Sequence, residues 1–242
     1  MSNHNPGQRV FQQKTCQCIY DAQILPDFSP AMFDIEYWSG IAEVRETCGG
    51  RGSSWHIHNK TGNFVLRHYR RGGVVSALSK DKYFMSFFCA SRAEREHKIL
   101  LRANAEGLPV PRPVGVRVQR HGMVCSMDIL LGEIPNSVTL AEKICQSKLP
   151  SVLWHEVGSV IKRFQNSGYA HADLNAHNIL IDDCNKVWLI DFDKSRRILW
   201  RNGWKKRNLQ RLKRSLEKIQ CQSKKTYWSD EDWQYLLTGH EK

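Results

Sequence analysis

With 242 residues, 41% hydrophobic and 25% charged, the chain has the composition of an ordinary globular protein, long enough for one large domain or two lobes sharing a cleft. No apolar run approaches the roughly 18 to 20 residues that span a bilayer. The first thirty residues are polar and show no secretory signal, which points to the cytoplasm. Of the eight cysteines only Cys16 and Cys18 are close in sequence, and no second pair or histidine partner has zinc-finger spacing. Reduced, mostly packed thiols are expected.

Residues 1–32 are broken by Pro6, Pro26 and Pro30 and read as an irregular arm with room for one short strand. Residues 33–130 read as a β-rich N-lobe. Within it, Ile41–Thr47, Trp55–His58 and Asn63–Tyr69 form a three-strand meander, whose first connection is rich in glycine. Residues 91–106 lack glycine and proline and predict a helix closed by Gly107-Leu108-Pro109. Val114–Val118 and Met123–Ile129 predict a hairpin, and Leu130–Asn136 a linker.

Residues 131–242 read as a small helical C-lobe. Leu153, Val157, Val160, Ile161 and Phe164 recur at helical spacing until Gly168 ends the helix. A polar loop (Tyr169–His177), a strand (Asn178–Ile181), a turn at Asp182-Asp183-Cys184-Asn185 and another strand (Val187–Ile190) follow. Leu209, Leu212, Leu216 and Ile219 place an apolar stripe on a cationic helix, and Ser229 offers an N-cap to a last helix.

The charge is unevenly placed. From Lys194 to Lys225 there are thirteen Lys or Arg and one acid, Glu217, so this segment carries as much excess charge as the +12 of the whole chain. Such a block attracts a phosphate-rich partner: a membrane surface, an anionic glycolipid or a nucleic acid. Trp200, Trp204 and Trp228 lie among these cations, suited either to interfacial anchoring or to a core.

Two stretches carry chemistry. His171-Ala172-Asp173-Leu174-Asn175-Ala176-His177-Asn178 reads H-x-D-L-x-x-x-N, and thirteen residues later an apolar strand ends in Asp191-Phe192-Asp193. Phosphoryl transfer spreads negative charge over three equatorial oxygens, so catalysis is mostly positioning and electrostatics. It needs oxygen ligands for magnesium and a separate carboxylate facing the acceptor hydroxyl.

With "VLRHYRRGG" and "GLPVPRPVG" upstream, "HADLNAHNILID" and "VWLIDFDKSRR" resemble the protein-kinase-like superfamily, and within it the bacterial lipopolysaccharide core kinases, over about residues 35–200. The resemblance implies an α+β, bilobal protein-kinase-like fold that uses ATP and Mg2+. By position, Asp173 would be the base, with His171 bracing the loop. Asn178 and Asp191 would hold the metal. Gly49, Gly50 and Gly52 would cover the ATP phosphates with backbone N–H groups. Arg67 would contact phosphate, paired with Glu96, although Glu94 stands two positions away and only one of the two can face Arg67. Leu130–Pro135 would be the hinge near adenine.

The implied acceptor is the 3-deoxy-D-manno-octulosonic acid (Kdo) sugar of Kdo-lipid A or its precursor, met at the cytoplasmic face of the inner membrane by a peripheral protein. The anionic membrane surface is the expected second partner; nucleic acid is disfavoured and no protein partner is inferred. A kinase for another core sugar such as heptose or for a small molecule, and a non-enzymatic kinase-like scaffold, are the rivals. Three departures stand out. Arg67 replaces the usual lysine with a longer, forked cation. Trp55 stands where G-x-G-x-x-G has its last glycine. Asp193 replaces the glycine of Asp-Phe-Gly, which predicts no flipping switch there.

Overall fold

The computed structural model describes residues 7–49, 52–69, 83–84, 90–121, 124–198, 203–223 and 225–241. The chain divides into two compact units, Met1–Leu101 with Arg112–Glu133, and Arg102–Pro111 with Ile134–Lys242.

The first unit is built on one antiparallel sheet. Its strands are β1 (Gln8–Gln12), β2 (Cys16–Asp21), β3 (Glu43–Gly49), β4 (Gly52–Asn59), β5 (Gly62–His68), β6 (Tyr83–Phe84), β7 (Pro113–His121) and β8 (Val124–Gly132). They run in the order β1-β2-β7-β8-β5-β4-β3, with β6 also paired to β8. The expected meander is β3–β4–β5. Its second turn closes because the Asn59 side-chain oxygen accepts from Thr61 N–H and Gly62 N–H, both at 2.9 Å.

Along β4 and β5 alternate residues Ile57, Phe64 and Leu66 point inward. They meet Phe33, Trp38, Val114 and Leu130, and the short helix α1 (Ile35–Trp38) packs there through Trp38. Helix α2 (Ala90–Ala105) starts in this unit and passes out of it at Leu101.

Two expectations change here. Residues 7–32 are not an irregular arm: β1 pairs β2, β2 pairs β7, and Cys16, Cys18, Leu25 and Met32 are buried. The inward period of two was carried by cysteines among polar neighbours, a weak hydrophobic signal, and the prolines fall before or after the strands, not within them. The linker expected from Leu130 starts later, because Leu130 and Leu131 still pair with Leu66 and Val65 across the β5–β8 ladder.

The second unit is mainly helical, with α3 (Leu140–Gln146), α4 (Ser151–Asn166), α5 (Trp204–Gln222) and α6 (Asp230–Glu241). Two small sheets accompany them: β9 (Val138–Thr139), β11 (Ile179–Ile181) and β12 (Val187–Leu189) in one, β10 (Tyr169–Ala170) and β13 (Arg196–Arg197) in the other. Thr139 and Glu142 form a reciprocal capping box that starts α3, a helix too short for its periodicity to show. Ser229 caps α6 by the same device: its Oγ accepts from Asp232 N–H at 3.4 Å, and Asp232 accepts from Ser229 N–H at 2.9 Å.

Helices α4 and α6 touch backbone to backbone. A Cβ on Gly158 would stand 2.0 Å from the Leu236 carbonyl oxygen, and one on Gly239 2.1 Å from that of His155. In α5 the buried row is Trp204, Asn208, Leu212, Leu216 and Ile219, so Asn208 takes the place expected of Leu209. Trp204 and Trp228 are each only 6% exposed, which makes them core residues and removes them as interfacial anchors. Trp200 lies outside the described residues.

Among the described residues six cysteines are free: Cys16, Cys18, Cys125, Cys145, Cys184 and Cys221. No helix among those residues is long and apolar enough to cross a membrane.

Candidate active site

Just beyond the end of helix α4, Gly168 has a φ of +81°, a left-handed conformation costly for residues with a Cβ. The chain then turns into the loop around Asp173, and β10 pairs with β13 to hold the loop's near end. His171 is 4% exposed. Its Nδ1 accepts from Asp173 N–H at 3.2 Å, so the ring proton sits on Nε2, which donates to the Ile190 carbonyl at 2.8 Å. Burial pushes this imidazole below its usual range, and the Ile190 carbonyl, Asp191 and Asp173 pull the other way. A neutral ring with both nitrogens engaged joins the Asp173 loop to the Asp191 segment.

The same two segments are linked through backbone. Ile190 N–H donates to the Asn178 carbonyl at 3.0 Å, which leaves Asp191 one residue beyond that link. Asn178 Nδ2 donates to the Asp173 carbonyl at 2.8 Å, so Oδ1 is the remaining acceptor of the amide. Asp191 is half-buried and has a φ of +61°, a conformation uncommon outside glycine and most tolerated by Asn and Asp. Phe192 fixes the segment: it stacks on Phe164 at 5.6 Å between ring centroids and meets His171 edge-on at 4.8 Å.

Three polar side chains that had not been singled out in the sequence brace the loop. Asn208, 8% exposed, donates to the His171 carbonyl at 2.7 Å. Ser195 accepts from Ala172 N–H at 3.0 Å, and Ser215 from Ala176 N–H at 3.1 Å. One of them left a trace: Asn208 is an amide within the apolar row of α5, and a buried amide requires a partner. The Asp173 carboxylate, in contrast, is 61% exposed, with Arg211 Nη1 at 3.4 Å from its Oδ1.

In the first unit, Arg67 of β5 stands opposite Ser54 of β4 and Ile129 of β8. Its Nη1 donates to Glu96 Oε1 at 3.2 Å. Glu96 is 1% exposed and also accepts from the Tyr69 hydroxyl, as a buried carboxylate must find partners. Glu94 instead faces Lys98 of its own helix at 3.6 Å. Gly49 and Gly52 pair at the turn end of the β3–β4 hairpin, and Gly50 lies outside the described residues.

A histidine-braced loop that carries a solvent-facing aspartate, tied to an asparagine and to a second aspartate just past a neighbouring strand, is the arrangement of a kinase-type phosphotransferase on an α+β, protein-kinase-like fold. Residues 36–240 match the model of the lipopolysaccharide kinase (Kdo/WaaP) family, and the chain belongs to that family. It is 38% identical to the 3-deoxy-D-manno-octulosonic acid kinase of Vibrio parahaemolyticus over 217 residues, covering 90% of each chain. The Vibrio vulnificus protein of the same name is 36% identical over 234 residues, 97% of each. The Xylella fastidiosa one is 37% identical over 201 residues, 83% of this chain and 80% of the other.

Proposed function

We propose that the chain transfers the γ-phosphoryl group of ATP to a hydroxyl of the Kdo sugar of Kdo-lipid A or its precursor, in lipopolysaccharide inner-core biosynthesis. The observation that carries this reading is the pair of ties that hold Asn178 and Asp191 on adjacent backbone segments beside the exposed Asp173. The relatives named above supply the acceptor. Asp173 takes the proton of the acceptor hydroxyl; that oxygen bonds to the γ-phosphorus while the bond to the bridging oxygen of ADP breaks. His171 holds the loop.

Asn178 and Asp191 fit a magnesium ion by their donor set, an amide oxygen and a carboxylate, both hard ligands. Bound there, the ion would offset charge on the phosphate oxygens. Arg67 contacts phosphate with Glu96 as its anchor, and Gly49, Gly50 and Gly52 offer backbone N–H groups to the same phosphates. The cationic segment from Lys194 onward draws the protein to the anionic inner leaflet as a peripheral protein on its cytoplasmic face, where each cation near the surface is worth about 1 kcal/mol.

Mass spectrometry of the acceptor after incubation with ATP and magnesium tests this directly. Kdo-lipid A should gain one phosphoryl group and lipid A without Kdo none; gain by both, or by neither, overturns the acceptor assignment. Asp173→Ala should lower turnover by about 10²- to 10⁴-fold with ATP binding retained. Near-normal turnover would remove Asp173 as the base.

A further inference from the structure

Within the second unit, the catalytic loop and helix α5 enclose a groove of about 490 Å3. Asp173, Asn175 and His177 line one side, and Arg211, Arg214 and Lys218 the other. At 100° per residue, Arg214 sits about 60° and Lys218 about 20° from Arg211 around the helix, so the three form one row beside the buried row. We infer that this row holds an oxyanion of the acceptor, with Arg214 and Lys218 as its ligands and Arg211 placed between that anion and Asp173.

Three observations carry the inference. The groove's lining contains three cations and a single acid, Asp173, which among the described residues forms an ion pair with Arg211 alone, at 3.4 Å. Among the described residues no acidic side chain pairs with Arg214 or Lys218, whereas Lys213, one position from Arg214, is matched by Asp230 at 3.3 Å. Like charges concentrated in a concavity repel one another, and an anionic ligand is what relieves them. Finally, the loop side of the groove is fixed to the helix side by Asn208 and Ser215, so the distance from base to cationic row is set by the fold rather than by ligand.

The chemistry selects an acceptor bearing a negative group close to its reacting hydroxyl. Arginine binds carboxylate and phosphate alike through paired N–H donors. Given the acceptor proposed above, on which this inference rests, the oxyanion is either the carboxylate of the sugar acid or a phosphate of the glycolipid. The groove thus separates two tasks within the cationic segment. Lys206 and Arg207 are exposed and take no part in its lining, while Arg211, Arg214 and Lys218 address the acceptor itself.

The test is equilibrium binding of the water-soluble, deacylated Kdo-lipid A saccharide to the full chain, by titration calorimetry. Wild-type protein and the double variant Arg214→Gln/Lys218→Gln are compared, both side chains being exposed and melting temperature checking the fold. The variant should bind about tenfold or more weakly, as expected on loss of charge-assisted hydrogen bonds, with ATP affinity unchanged.

Saccharide with its carboxylate reduced to an alcohol, and saccharide with its phosphates removed, identify the source. Whichever form binds wild type weakly and is insensitive to the double substitution has lost the recognised anion. Equal binding by wild type and variant, or no binding by wild type, overturns the inference. A wild-type protein that binds the saccharide through this row yet transfers no phosphoryl group to Kdo-lipid A overturns the proposed reaction and leaves the groove standing.

Discussion

At Asn208 a single side chain connects a helix interior to the catalytic loop. Its amide donates to the His171 carbonyl at 2.7 Å in a buried setting, and His171 in turn orders Asp173 and Ile190. Asn208→Ala leaves that carbonyl unpaired away from water, so urea unfolding should show a loss of about 1–3 kcal/mol. Turnover should fall with it, since the loop loses a fixed point; a variant as stable and as active as wild type would show that the bond carries neither. Arg67 illustrates the same dependence on a partner. Its guanidinium is placed by Glu96, a carboxylate 1% exposed. The spacing of Glu94 and Glu96 showed that one of them had to face away, yet left open which one did.

Between elements, the closest approach is that of α4 and α6. Small-residue contact at Gly158 and Gly239 lets two backbones meet where any Cβ would collide with a carbonyl oxygen. Gly158→Ala is therefore expected to destabilise the protein by about 1–3 kcal/mol through forced separation of the helices. Gly203→Ala serves as the control, because its added Cβ would meet nothing closer than Arg207 at 4.0 Å. Equal melting temperatures for the two variants would mean that the contact yields without cost. Helix α5 shows how one element serves two roles. One row of it is core, and the neighbouring row is cationic and faces Asp173. The helical stripe was legible in the sequence; that its flank borders the catalytic loop was not, because residues 173 and 211 are brought together by packing and not by proximity along the chain.

For the whole molecule, charge and protonation set the behaviour. Burial lowers His97 from 6.5 to about 4, and burial likewise lowers His171 and His240, the last also through Lys162 and Lys205. In the unfolded chain these histidines take up protons below 6.5, whereas in the native state they stay neutral to lower pH. The contribution of His97 to stability is thus present above pH 6.5 and lost as pH falls toward about 4, and those of His171 and His240 decline in the same direction. The urea midpoint should decline over that range, and less steeply in His97→Gln; a flat midpoint would mean that His97 is charged in the native protein. The cationic segment acts outside the groove as well. Lys206→Ser with Arg207→Ser should lower activity on acceptor presented in anionic vesicles more than ATP hydrolysis without acceptor, and the difference should shrink at high salt. Equal losses would indicate a folding defect instead of weakened attachment.

The family resemblance implied the α+β class and the reading as a kinase; residue order alone showed the meander, helix α4, the H-x-D-L-x-x-x-N loop and the apolar strand before Asp191. These are local: periodicity, turn chemistry and spacing act within a few residues of chain, where sequence and geometry map onto each other directly. Packing decided the rest. It turned residues 8–21 from an arm into two strands of the sheet, took Trp204 and Trp228 into the core, chose Glu96 over Glu94, and brought Asn208, Arg211 and Ser215 to the loop. Those outcomes depend on which buried surfaces meet across tens or a hundred residues, and a polar side chain's partner is settled only when burial removes water as the alternative.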